Sequence, residues 1–435
     1  MALSDHAATS ISNIQDMKHI QLITASLCAC LLLGLTRATA QPLPHSTPAV
    51  CGISARSLAK ADSLINAAIR EGRCPGAVLE VVRHGKVAYQ KAYGHRQVYP
   101  DSKLMTVHTV FDMASCSKSL STAICAMQLI EQGRLHTSDA VSRYIPGFQS
   151  WRQGTDSATI TVMHLLTHTS GLPPYASVTA LKAQYGSPNA AALMDYIAHC
   201  KRDFRPQSQF QYSCLNFITL QHIIEHVTGQ NLRDYAAAHI FKPLDMRHTD
   251  YLPCRQQADG RWVSTDEPRW VKEGEAEGLT PIAPTEKQAD GSVLLGQVHD
   301  PLARVMNGGI SGNAGLFSNA DDIAILCAAL LNGGTWKGHR ILQPSTVRLM
   351  TTVPKGFEKF GRTPGWDCSS PYASPKGSHT SARAYCHTGY TGTSVVVDPD
   401  NDLAIILLTN AVHPVDRTSV VKLRREVANA IEWSR

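Results

Sequence analysis

The sequence predicts an α/β (α+β) sandwich: an antiparallel sheet flanked by helices, formed from both chain ends, with a mostly helical insert between them. Three observations predict it. Runs with strand character, broken by tight turns, occur near residues 77–90 and again near 393–409. Segments with apolar residues three or four apart fill most of the stretch between. The closing segment, Ser419 to Trp433, is helical in pattern again. With 435 residues, 43 % apolar and 17 % charged, the chain can bury a large core, which excludes disorder and coiled coil.

Taken in order, residues 1–40 read as a secretory signal. Ile20 to Leu35 is apolar but falls short of the roughly 20 residues of a spanning helix. Lys18 and His19 supply the basic flank, and Ala38-Thr39-Ala40 a small-x-small cleavage site. Asp5 and Asp16 suit the first segment of such a signal poorly, so Met17 is the alternative start. The mature chain then begins near Gln41, is exported beyond the inner membrane to the periplasm, and contains no transmembrane segment. Residues 41–50, with Pro42, Pro44 and Pro48, form a linker. Residues 51–435 are expected to be one domain, its sheet part about 51–115 and 305–435 and its helical part about 116–304.

Within that domain, Leu58, Ala61, Ile65 and Ala68 mark one face of a first helix. Ala77 to Arg83 and Lys86 to Gln90 flank His84-Gly85 as a hairpin, and Thr393 to Asp398 and Leu403 to Thr409 flank Pro399-Asp400-Asn401 as another. Between them, helical patterns run over Ser115 to Gln132, Val162 to His168, Phe217 to Val227 and Asp321 to Leu331, each closed by a nearby glycine. Residues 255–300, polar and rich in Gly and Pro, predict a long excursion over the surface.

Charge and cysteine content exclude other classes. Lys and Arg number 41 against 35 Asp and Glu, a net +6, without a run of five like charges or an aromatic-basic repeat, so no nucleic-acid module is expected. Of 12 cysteines, Cys28 and Cys30 leave with the signal. The rest enter a compartment where disulfides form, and Cys51 with Cys74 brackets the first helix as a possible staple. No CxxC spacing marks a metal or redox site.

Two arrangements carry chemistry. The first is His222-Ile223-Ile224-Glu225-His226, with histidines at i and i+4 as a zinc peptidase requires. The apolar stripe Phe217, Leu220, Ile224 and Val227 lies elsewhere on that helix, so both histidines equally fit a solvated face. The second is serine with lysine three residues on, at Ser57/Lys60, Ser115/Lys118 and Ser419/Lys422. Only Ser115 follows an apolar run, Val110 to Ala114, and opens a helix, where Ser115 and Lys118 share a face. The positive end of the helix favours an anionic oxygen, and burial drives a lysine toward its neutral, proton-accepting form.

Order along the chain adds to this. Phe111-Asp112-Met113-Ala114-Ser115-Cys116-Ser117-Lys118 comes first, then Leu165-Leu166-Thr167-His168-Thr169-Ser170-Gly171-Leu172 and Tyr212-Ser213-Cys214. Gly312-Asn313-Ala314-Gly315-Leu316-Phe317-Ser318 and His387-Thr388-Gly389 complete the series. Over about residues 52–432 this pattern resembles the serine β-lactamase and penicillin-binding-protein family, class C β-lactamase-like serine hydrolases above all. The resemblance implies a β-lactamase/transpeptidase-like fold and an acyl-enzyme mechanism without cofactor or metal. Ser115 would be acylated, Lys118 would activate it, and Tyr212 would act as general base, its proton shared with Lys118. The backbone N–H groups of Ser115 and Tyr390 would form the oxyanion hole. His387, Thr388 and Gly389 would line the substrate edge strand. Two departures stand out: His387 replaces the usual lysine, weakening the permanent charge offered to a substrate carboxylate, and Cys214 replaces the usual Asn, weakening hydrogen bonds to a substrate amide. The expected partner is a small ester or peptide, including cell-wall peptides and β-lactams. A sensor of the same fold that deacylates slowly is the non-catalytic alternative.

Overall fold

Leu58, Ala61, Ile65 and Ala68 are all buried on one face of helix α1 (Ala55–Arg70), which opens at Ser54, whose Oγ accepts the Ser57 N–H. The computed structural model describes residues 42–272, 281–417 and 419–434. The signal expected over residues 1–40, with Met17, lies outside the described residues. Among the described residues no helix is long and apolar enough to cross a membrane.

α1 lies against a six-stranded antiparallel sheet. Its strands are β1 (Gly76–Arg83), β2 (Lys86–Gln97), β3 (Lys103–Leu104), β4 (Tyr385–Thr388), β5 (Ser394–Asp398) and β6 (Leu403–Thr409), in the order β4-β5-β6-β1-β2-β3. The two ends of the chain meet at the centre, where Val81 pairs with Ile405. Alternation sorts the side chains onto two cores. Leu79 and Val81 of β1, with Ile405 and Leu407 of β6, face α1 and the C-terminal helix (Val421–Ala430). Val78, Val82, Ala404 and Ile406 face the larger helical body. Helices cover both faces, so β6 reads as a continuous apolar run, Leu403 to Leu408, and β1 as one broken only by the buried Glu80 before Arg83 ends it.

Helical structure fills the middle of the chain, as the periodicity indicates. The helix Cys214–Thr228 ends on Gly229, which adopts the left-handed conformation at φ 72°. Three expectations change. The helix read over Ser115 to Gln132 is instead a 3₁₀ turn (Ala114–Cys116), a π-helical turn (Lys118–Thr122) and an α-helix (Ala123–Glu131). A local hydroxyl contributes, because Ser117 Oγ donates to the Ala114 carbonyl at 2.6 Å and so competes with a regular ladder at that acceptor. Residues 281–300 do not skirt the surface. Ala283, Leu294 and Val298 are buried, and Ile282 bridges Val110, because apolar side chains in coil pack without leaving a period. Finally, Cys51 and Cys74 are free thiols, as are the other cysteines of the described residues.

Candidate active site

The Ser115 turn is strapped to the edge of the sheet. Asp112 Oδ1 accepts the Ala114 N–H at 2.8 Å, while its Oδ2 accepts the His299 N–H at 2.7 Å. The carbonyls of Asp112 and Met113 accept Thr391 Oγ1 at 2.8 Å and Thr393 Oγ1 at 3.1 Å. The segment following β4 is thereby held against the residues just before Ser115. Gly389 is required there: a Cβ would lie 2.1 Å from Thr393 Oγ1 and 2.5 Å from the Met113 carbonyl.

Lys118 is fully buried. Its Nζ donates to Ser115 Oγ at 3.0 Å and to the Asn313 carbonyl at 2.7 Å, and it lies 3.7 Å from Cys214 Sγ. The buried Tyr212 side chain packs beside Ser115 and Lys118, whose Nζ stands 5.1 Å from its ring centroid. Tyr212, from a distant part of the sequence, thus converges with the Ser115–Lys118 pair at one point. Asn313 is held in turn, since its Nδ2 donates to Asp300 Oδ1 at 3.2 Å and its Oδ1 accepts Ser311 Oγ at 2.7 Å.

The electrostatics reverse one expectation. Burial opposes the Lys118 ammonium most strongly, yet Cys214, Tyr212 and Asp300 together outweigh it, and the Lys118 pKa ends above its ordinary value. Burial also raises the Tyr212 pKa, against the pull of Lys118. The resting pair is therefore an ammonium and a neutral phenol, not a neutral lysine. Burial raises the pKa of Cys214 as well, against the pull of Lys118, so Cys214, Tyr212 and Lys118 titrate as one coupled set.

His387 is buried and neutral, its pKa held well below the usual imidazole range by burial and by Arg362 and Lys118. Its Nδ1 lies 3.0 Å from the Thr388 carbonyl and must donate, which leaves the Nε2 lone pair without a partner among the described residues. The Tyr390 side chain is 68 % exposed and donates to Asp416 Oδ2 at 2.6 Å.

Ser115, Tyr212, His387, Thr388, Gly389 and Tyr390 line one open cleft. So does Arg362, which the sequence reading missed. It is buried, Nη1 donates to Asp367 Oδ2 at 2.9 Å, and Nε and Nη2 have no hydrogen-bond partner among the described residues. A loop arginine carries no periodic signal. Arg362 thus puts a permanent cation on the cleft wall, its charge shared with Asp367, which lines the same cleft.

The zinc alternative does not assemble. Glu225 Oε1 accepts Gln221 Nε2 at 3.0 Å and the Leu232 N–H at 3.1 Å, and His226 stands edge-on to Tyr144. His222 is mostly buried rather than solvated, its pKa lowered by burial to about 4. Among the described residues no group of three His, Cys, Asp or Glu side chains converges as a metal site.

A buried lysine on a serine, a tyrosine reaching both and an edge strand beside them, set where a sheet meets a helical wall, define a serine hydrolase of the β-lactamase and penicillin-binding-protein fold. The chain belongs to the Beta-lactamase family, whose model matches residues 61–429. A relative from Escherichia coli strain K12, provisionally named D-alanyl-D-alanine carboxypeptidase, is 32 % identical over 383 residues, covering 85 % of this chain and 86 % of its own. One from Bacillus subtilis strain 168, named N-acetylmuramyl-L-alanine amidase, is 33 % identical over 374 residues, covering 83 % and 82 %. Among solved structures EstCE1, described as a hydrolase with promiscuous acyltransferase activity, has a TM-score of 0.64 at 23 % identity, covering 86 % of this chain and 98 % of that one. That likeness concerns the fold alone.

Proposed function

We propose that the chain is an exported serine hydrolase that forms an acyl-enzyme on Ser115 and cleaves amide or ester bonds in peptides of the cell-wall type. One observation carries this reading: Lys118 Nζ lies 3.0 Å from Ser115 Oγ and 5.1 Å from the centroid of the Tyr212 ring, on the wall of an open cleft. Ser115 Oγ attacks the carbonyl while the Lys118–Tyr212 pair takes its proton and passes it to the leaving group. The Ser115 and Tyr390 N–H groups hold the oxyanion, and water releases the acyl group. Thr388 and Gly389 present the edge strand to the substrate backbone. His387 offers a neutral acceptor beside it, and Arg362 supplies the charge for a carboxylate.

Peptides are favoured by the names of the two relatives and by Arg362. Esters are favoured by Cys214, whose thiol holds an amide weakly. The test is turnover by the purified protein beginning at Gln41, with a D-Ala-D-Ala peptide, a short-chain ester and a cephalosporin side by side. Peptide or ester turnover is expected to exceed that of the cephalosporin by at least tenfold; a dominant cephalosporinase rate overturns the reading. Replacing the thiol by an amide, Cys214→Asn, is expected to raise peptide or β-lactam turnover several-fold at little change in ester turnover. An unchanged peptide-to-ester ratio counts against any role of residue 214 in holding the substrate amide.

A further inference from the structure

His168 is fully buried and holds a left-handed backbone, φ 57°, that few non-glycine residues adopt. From that conformation it touches Tyr212 on three sides. Its carbonyl accepts the Gln211 N–H at 3.0 Å, and its Nδ1 lies 3.1 Å from the Ser213 N–H, so the residues on either side of Tyr212 are both tied to one residue. Its ring lies over the Tyr212 ring, 4.4 Å between centroids at 30°, with Phe217 also packed against it at 5.1 Å.

The protonation pattern follows from the neighbours. The Leu172 N–H donates to Ser170 Oγ at 3.0 Å, which leaves the Ser170 hydroxyl hydrogen for Asn216 Oδ1 at 2.6 Å. Asn216 therefore turns Nδ2 toward His168 Nδ1, at 3.2 Å. Nδ1 is an acceptor twice over. Burial and the nearby Arg362 and Lys118 keep the ring neutral, so no proton competes for that lone pair.

We infer that His168 is a positioning residue for Tyr212, fixing the phenol against Ser115 and Lys118 by gripping the backbone on both sides of it and covering its ring. The inference rests on the reading of Tyr212 as general base. Small displacements of such a group cost rate rather than binding, so His168→Ala is expected to lower kcat by about 100-fold with KM changed less than about threefold. His168→Asn keeps an acceptor near the Nδ1 position and tolerates the left-handed backbone, but lacks the ring. It is expected to lose only about tenfold.

The experiment measures kcat, KM and burst-titrated active-site concentration for His168→Ala, His168→Asn and Tyr212→Phe on the best ester or peptide substrate. Should His168→Ala fail to fold, His168→Asn decides: a tenfold loss per active site at unchanged KM supports the clamp, and parental kcat overturns it. His168→Ala overturns it as well if kcat per active site stays within twofold, or if the loss lies wholly in the number of titratable sites. An unaffected Tyr212→Phe enzyme instead removes the reading of Tyr212 on which the inference stands, so the two failures are distinguishable.

Discussion

Ser115→Ala is expected to abolish labelling by a fluorophosphonate probe and to lower turnover by about 10³-fold or more, the scale seen when a serine nucleophile is removed. The substitution asks little of the fold. Ser115 Oγ accepts one bond from Lys118, whose Nζ keeps the Asn313 carbonyl at 2.7 Å, and alanine fits a short helical turn. Loss of activity with unchanged melting then reports chemistry rather than stability. The other serines with a lysine three residues on serve as controls. Ser57 donates to the Ser54 carbonyl at 2.6 Å, spending its hydroxyl on the start of α1, and Lys422 pairs at the surface with Glu426 at 3.6 Å instead of approaching Ser419. Ser57→Ala and Ser419→Ala should label as the parent does. Ser419 also lines the cleft, which makes it the sharper control. Labelling that survives in Ser115→Ala and maps by peptide mass to Ser419 or Cys214 would sink the assignment of the nucleophile.

The contrast among these three copies shows what the sequence carried and what it did not. Spacing alone placed each serine near its lysine; the apolar run before Ser115 singled out one copy. Tyr212 and His387 emerged only from motif order, because a tyrosine between polar neighbours and a buried histidine have no local signature of chemistry. The hairpins and the glycine-stopped helices were legible for a different reason: their patterns are set by the neighbouring residues themselves. What escaped depended on partners far along the chain. The carbonyl of Asn313 that holds Lys118 is backbone and leaves no mark in residue type. Arg362 sits in a loop with no period. Asp300 reaches the site at the end of a coil segment whose buried residues, Leu294 and Val298, alternate with nothing. The hydroxyls of Thr122 and Ser119 likewise find their partners, the Gly312 and Gly365 carbonyls, only through the tertiary structure.

The Lys118–Tyr212 pair should impose an alkaline pH dependence on acylation. Lys118 is held as ammonium and Tyr212 as phenol, since both pKa values lie above their ordinary ones, in Lys118 by partners that outweigh burial and in Tyr212 by burial itself. Neither can take the Ser115 proton in that state. The competent form has lost one proton from the pair, and below the pair's first apparent pKa its population grows tenfold per pH unit. The logarithm of kcat/KM should therefore climb with a slope near one from pH 6 to beyond pH 8. No inflection near 6.5 is expected, because burial keeps His168 and His387 neutral through that range. Lys118→Met removes the cation that favours the phenolate and is expected to cost about 10³-fold at pH 7, within the range typical of general acid–base groups. Tyr212→Phe leaves Lys118 as the sole proton acceptor, with a similar loss at pH 7 and an altered rise at high pH. Stopped-flow acylation of the parent and both variants across this range decides the matter. A flat profile, or a bell with an acid limb at 6.5, means that a neutral lysine or a histidine moves the proton and that the pair does not.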